Sequence, residues 1–314
     1  KWWGEKPKLD KVTYRQMESQ AIINAFQAGE IDAANVAAKD NLAVAKQMKD
    51  INILGALQPS NFLLTLNSKT PALEDIKVRQ ALFTGVDRET LAQIRFNGLD
   101  YKEDLPGSIV LFQNQEGYQD NFSSVVQYDQ DKAKQLLDEA GWAEGGDGIR
   151  EKDGEKLKLR YVTFGDDQMT KSSVAGLQKM MKDIGVDMQV EERPTSDFSR
   201  VLAEKDFDFI MSGFGSTDPF GMLYFKQDYA SDSELNKSGT GTPEFDEKIN
   251  ELYQISDQTE QIAKANELEK EAFAQYGIMP YANGPQLTGV KKGLANFGAY
   301  AFAVVPKENI GWAK

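Results

Sequence analysis

Leu157-Lys158-Leu159-Arg160-Tyr161, the span from Val174 to Met181, Val186-Asp187-Met188-Gln189-Val190, Phe198-Ser199-Arg200-Val201-Leu202 and Phe207-Asp208-Phe209-Ile210-Met211 form the stretch that decides the fold. Leu157, Leu159 and Tyr161 alternate with polar residues, the period of a strand. Val174, Leu177, Met180 and Met181 recur at helical spacing, with Gly185 placed to end the helix. The pattern returns to strand, then helix, then strand. Such a βαβαβ succession predicts a parallel or mixed sheet with covering helices.

The chain reads consistently on either side. Asp153-Gly154 separates Ile149-Arg150-Glu151 from Lys156-Leu157, a two-residue hairpin signal. Asp75, Asp87 and Asp129 are placed to cap helices whose apolar residues are Val78, Ala81 and Leu82, then Leu91 and Ile94, then Ala133, Leu136, Leu137 and Ala140. Gly98 to Tyr128 has no period and reads as a long ordered loop over the surface. Pro243 opens a helix with Phe245, Ile249 and Leu252, and a longer one runs from Gln258 to Tyr276. Ser19 is placed to cap a helix closed by Gly29. Asn61-Phe62-Leu63-Leu64-Thr65-Leu66-Asn67 and Ile278 to Ala282 read as short strands, the first of them buried.

Composition excludes several functions. With 36 basic against 49 acidic residues the formal charge is -13, the wrong sign for a phosphate backbone, which needs clustered Lys and Arg. Neither Cys nor His occurs, so thiolate nucleophiles, imidazole bases, disulfides and the usual zinc ligands are absent; no cofactor or metal is expected. No apolar run approaches the roughly 20 residues that cross a bilayer. A serine-hydrolase elbow is absent, and Gly239-Thr240-Gly241-Thr242-Pro243 is only a weak mimic of a phosphate loop. Asp147, Asp153, Asp166 and Asp167 lack the spacing of a calcium loop.

An ordered series of short strings carries a family resemblance: Lys1-Trp2-Trp3-Gly4, Gln27-Ala28-Gly29-Glu30-Ile31-Asp32, Val78-Arg79-Gln80-Ala81-Leu82, Asp87-Arg88, and Ala133-Lys134-Gln135-Leu136-Leu137 with Ala140-Gly141-Trp142. In order and spacing the chain resembles the extracellular solute-binding proteins of family 5, the oligopeptide- and dipeptide-binding proteins of bacterial ABC importers. The resemblance implies an α/β, periplasmic-binding-protein-like fold of class II, cluster C type, with one complete lobe built on a mixed sheet and an incomplete first lobe. Residues 1–68 would be part of the first lobe, 69–276 the second, and 277–314 a return segment to the first. It implies an extracytoplasmic place, as a Gram-positive cell-surface lipoprotein or in a periplasm, with any anchor in a portion preceding Lys1. The implied partners are a peptide or other small-molecule ligand and the membrane permease subunits, with no nucleic acid and the protein a monomer.

Candidate ligand residues follow from both readings. Ser212-Gly213-Phe214-Gly215-Ser216-Thr217-Asp218-Pro219-Phe220 comes after the third strand of the βαβαβ unit, and loops beyond the carboxyl ends of sheet strands are where α/β folds bind ligands. Phe214, Gly215, Ser216, Thr217, Asp218 and Phe220 are candidates there; glycines admit a close backbone, hydroxyls donate, and Asp218 can hold an ammonium. In the resembled family this loop carries an aromatic residue and, three positions later, an acid that pairs with the peptide ammonium. Here Phe214 takes the aromatic position, Thr217 stands where the acid would be, and Asp218 is the alternative carboxylate. The resemblance adds Asn35, Asn61 and Phe62; for the asparagines, a strand-end residue bonding its own chain is the competing role. Tyr161, Phe164, Met169, Met180, Met181 and Met211 read as core, as do Trp2 and Trp3. A carboxylate-based hydrolase, an adhesion or signalling module, and the same scaffold holding an oligosaccharide or a metal chelate are the alternatives.

Overall fold

The computed structural model describes residues 3–99, 102–164, 168–216, 218, 222, 224–298, 300 and 306–313. Along the chain come α1 (Ser19–Gln27), β1 (Ala33–Asn35), α2 (Lys39–Gln47), β2 (Ile51–Leu66), α3 (Ile76–Thr84), α4 (Arg88–Arg95), α5 (Gln130–Glu139), β3 (Ala143–Glu144), β4 (Arg150–Lys152), β5 (Glu155–Lys156), β6 (Lys158–Phe164), α6 (Gln168–Asp183), β7 (Asp187–Arg193), α7 (Phe198–Glu204), β8 (Phe209–Gly215), α8 (Phe225–Tyr229), α9 (Pro243–Leu252), α10 (Gln258–Phe273), β9 (Ile278–Lys291), β10 (Leu294–Ala295) and β11 (Gly311–Trp312). The chain divides into two compact units, one of residues 1–59, 96–103 and 283–314, the other of 60–95 and 104–282. The boundaries at Pro59 and Ala282 fall inside β2 and β9.

The larger unit contains the βαβαβ succession. β6 pairs in parallel with β7 and with β8, whereas β2 runs antiparallel to β8 from Ser60↔Gly215 to Leu66↔Phe209. A mixed sheet results, in the order β2-β8-β6-β7. Val162 and Ile210 pack with Val201 and Phe207 as a buried cluster where α7 covers the sheet. Asp153 and Gly154 both have positive φ, 54° and 86°, and join β4 to β5 as the two-residue hairpin requires. Asp75 and Asp129 cap α3 and α5 by accepting from the amides of Lys77 and Lys132. Asp87 does the same for Thr90 at the start of α4. Each satisfies an amide that the first helical turn leaves without a partner.

Two arginines of the motif strings prove to be architectural. Arg79, buried in α3, donates to the carbonyls of Leu73 at 2.6 Å and Gln275 at 3.0 Å. Arg88 donates to the carbonyls of Pro106 at 2.9 Å and Pro280 at 2.8 Å and lies 4.4 Å above the Phe122 ring; burial lowers its pKa to about 10. The segment after Gly98, expected over the surface, instead buries Ile109, Val110, Leu111, Phe112 and Phe122. Its missing period reflects backbone tied down by side chains rather than by a ladder.

In the smaller unit β1 pairs antiparallel with the second half of β9, Ala33↔Val290 to Asn35↔Thr288. The helix beside it begins one residue earlier than a Ser19 cap would place it: Glu18 occupies the cap position and makes no capping bond through its side chain. Its far end closes as expected, with Gly29 at φ 74° and the Glu30 amide returning to the Ala25 carbonyl at 2.9 Å. Trp3, read as core, is 90% exposed. A cavity of about 500 Å³ in this unit is lined by Tyr14, Arg15, Ile22, Asn35, Phe297 and Trp312 among others.

Candidate ligand-binding site

Strand pairing unites residues that lie some 150 positions apart in sequence: Asn61 is registered opposite Phe214 and Phe62 opposite Gly213. Directly opposed residues share a face of an antiparallel pair, so Asn61 and Phe214 are on one face, Phe62 and Gly213 on the other. At this end of β8 Gly213 and Gly215 are exposed and Phe62 and Phe214 half-buried. Among the described residues, a side chain at Gly213 would meet only the Asn61 carbonyl, at 3.8 Å. This end of the sheet thus offers bare backbone beside Phe62 on one face and the Phe214 ring on the other.

Each ring is held by neighbours. Phe214 meets Tyr224 edge-on, with centroids 5.2 Å apart. Phe62 lies 6.2 Å from the Tyr281 ring, and the Arg95 guanidinium stacks over the Phe62 ring at 3.9 Å. Asn61 is almost fully buried and donates from Nδ2 to the Ser108 carbonyl at 2.9 Å, which ties β2 to the long loop. Ser216 is buried, and its Oγ accepts from the Asp218 amide at 3.0 Å; the Asp218 carbonyl in turn accepts from Gln115 Nε2 at 3.3 Å. These bonds fix the backbone of Asp218 just beyond the end of β8. Thr217 and Phe220 lie outside the described residues. Asn35 belongs to the smaller unit, is exposed at the end of β1, and accepts from the Ala37 amide through Oδ1 at 2.8 Å.

Comparison with known proteins assigns the family. Residues 1–236 match the model of the bacterial extracellular solute-binding proteins, family 5 Middle. The chain belongs to that family. The oligopeptide-binding protein OppA of Mycobacterium tuberculosis is 34% identical over 316 residues, covering 100% of this chain and 53% of its own length. The family 5 chain thus spans about half the length of the curated relatives that it matches. Among solved structures, the periplasmic EDTA-binding protein EppA superposes with a TM-score of 0.88 at 23% identity, over 100% of this chain and 60% of its own. The oligopeptide-binding protein AppA from Bacillus subtilis, in complex with a nonapeptide, superposes at 0.79 and 23% identity, over 94% and 59%. At such identities these two likenesses establish the fold.

Beneath the paired strands this family 5 protein carries a buried polar hub that the sequence reading passed over. Glu269 of α10 is fully buried and accepts from the amide of Ile109 at 2.9 Å, Asn121 Nδ2 at 2.8 Å and the Tyr229 hydroxyl at 3.0 Å. It thereby anchors the loop whose Ser108 carbonyl holds Asn61. Burial pushes the Glu269 carboxyl up, while these donors pull it back; Asp228, also buried, is raised well above the usual range by burial and by the Glu269 charge. Burial and the neighbouring carboxylate thus favour the protonated form of Asp228. One signal was available: Glu269 falls in helical register with Ile262, Ala265 and Ala272, on the apolar face of α10.

Proposed function

We propose that this chain is part of the substrate-binding component of an ABC importer, and that it holds oligopeptides without transforming them. The observation that carries this reading is the end of the β2/β8 pair, where exposed Gly213 and Gly215 leave backbone accessible on the face of Phe62, with Phe214 on the opposite face. Backbone groups recognise peptide amides of any sequence, and ring faces accept side chains of varied shape. Asp218, with Ser216 fixing its backbone, is the group for the peptide ammonium; Thr217 and Phe220 border it in sequence. The name of the mycobacterial relative supports a peptide as cargo.

In this reading residues 60–95 and 104–282 belong to one lobe, and residues 1–59, 96–103 and 283–314, with Asn35, to the other. Closure of two lobes around the ligand desolvates its hydrogen bonds, and the ligand raises the population of the closed form by binding it more tightly. Permease subunits in the membrane receive that form on the extracytoplasmic side. No bond is made or broken in the ligand.

Mass spectrometry of small molecules retained by a purified protein of the relatives' length that contains residues 1–314 tests the cargo. Peptides of mixed sequence are expected. A retained sugar or metal chelate would replace the peptide as cargo, and released hydrolysis products would make the protein an enzyme.

A further inference from the structure

The glycine-rich stretch near residue 239, set aside above as a poor phosphate loop, lies within a concentration of positive charge that the acidic composition does not foreshadow. Lys69, Lys205 and Lys237 converge there. A point one bond out from the Gly239 Cα lies 3.3 Å from Ser68 Oγ, 3.4 Å from Lys205 Nζ and 3.4 Å from Lys69 Cε. Among the described residues no carboxylate pairs with any of these three ammonium groups; Lys237 Nζ donates to the Glu234 carbonyl. Burial and the charges of Lys237 and Lys69 lower the Lys205 pKa, as expected of like charges held close. Ser68 is more than nine-tenths buried, and among the described residues its hydroxyl has no hydrogen-bond partner.

The backbone that mounts the lysines is tied by hydrogen bonds. Asn67, at the end of β2, donates from Nδ2 to the carbonyls of Lys205 and Phe207, both at 3.0 Å, and accepts from the Lys69 amide at 3.0 Å. One side chain thus fixes the backbone of two lysines. Buried Asn236 holds the loop of the third: its Oδ1 accepts from the Ser238 hydroxyl at 2.7 Å and the Gly239 amide at 3.1 Å, and its Nδ2 donates to the Thr240 carbonyl at 2.6 Å. The Ser68 amide joins the two segments by donating to the Ser238 carbonyl at 2.8 Å. Gly239, with φ 65°, leaves the lysine ends room to meet above it.

From this geometry we infer that Ser68, Lys69, Lys205, Lys237 and Gly239 form a binding site for a phosphate-class oxyanion, separate from the peptide site. The ammonium groups supply charge, and the Ser68 hydroxyl becomes a further donor once the lysine ends that cover it turn to the ligand. The loop amides are already committed, that of Gly241 to Gln275 Oε1 and that of Thr240 to Ser238 Oγ. Side chains rather than a backbone cradle therefore do the binding, which explains why the sequence fails the phosphate-loop pattern. The site lies where β2 ends and β8 begins, whereas the peptide candidates lie where β8 ends, so the two proposals stand or fall separately.

Inorganic phosphate titrated into the 314-residue chain in dilute buffer, followed by calorimetry and by amide shifts, tests it. Saturable binding at one site, with shifts confined to residues around 67–69, 205 and 236–240, is expected. Lys205→Met and Lys237→Met should each weaken it by roughly tenfold and Ser68→Ala by a few-fold. Lys132→Met, which changes net charge equally, should leave it unaltered; circular dichroism establishes that each variant is folded. A parallel arm measures binding to phosphatidylglycerol vesicles against phosphatidylcholine vesicles: loss of anionic-vesicle binding in Lys205→Met would identify the phosphate as that of a lipid headgroup, whereas phosphate binding alone would identify a free anion. Failure of phosphate and anionic vesicles alike to bind, or binding that Lys205→Met and Lys237→Met leave intact, would overturn the site.

Discussion

Glu269 and Asp228 set the strongest residue-scale expectations. Glu269→Ala strips several buried donors of their acceptor at once and should cost about 3–5 kcal/mol, read as a lower urea midpoint. Asp228 has a folded-state pKa raised by burial and by the Glu269 charge, so its contribution is fully present below the ordinary carboxyl range and is lost as pH rises through the folded value. Asp228→Asn keeps the neutral shape, and should raise the urea midpoint more at about pH 8 than at about pH 5. An equal change at both would mean that Asp228 does not hold the proton. At the ligand end, Asp218→Ala should weaken peptides with a free ammonium by about 1.5–3 kcal/mol and leave N-acetylated peptides unaffected. Calorimetry with the two ligands separates these outcomes. What sequence could not reveal at this scale is partnership: Asn61 and Phe214 were each legible as candidates, but only the β2/β8 register brings them opposite each other.

Among elements, Gly185 shows how a local signal becomes a tertiary constraint. It closes α6 at φ 87°, and a methyl there would lie 2.8 Å from Arg150 Cγ. Arg150 cannot retreat, because it is buried and donates to the carbonyls of Ile184 at 3.0 Å and Trp142 at 2.6 Å. Gly185→Ala should therefore cost about 2–4 kcal/mol, combining left-handed strain with overpacking, again read from the urea midpoint. The helices with Asp caps, the Asp153-Gly154 hairpin and the βαβαβ order were all readable, because each rests on a few neighbouring residues. The two long strands were not. β2 extends over 16 residues and β9 over 14, against seven and five expected. Gly55 and Pro59 in the first, and Asn283-Gly284-Pro285 in the second, are ordinary strand breakers. They sit at or near the boundaries between the two compact units, where burial changes along the strand and no single alternation survives.

For the molecule as a whole, membership of solute-binding family 5 rests on the match over residues 1–236 and agrees with the ordered motifs. Several of those motifs turn out to hold the fold together: Arg79 and Arg88 brace carbonyls of segments distant in sequence, and Gly141 ends α5 at φ 85°. The central proposal is capture without chemistry. Titration calorimetry of defined peptides into a protein of the relatives' length that contains residues 1–314, with mass spectrometry of the recovered ligand, addresses it most directly. The account predicts saturable binding and return of the peptide intact; cleaved peptide, or no binding of any peptide by the folded protein, would contradict it.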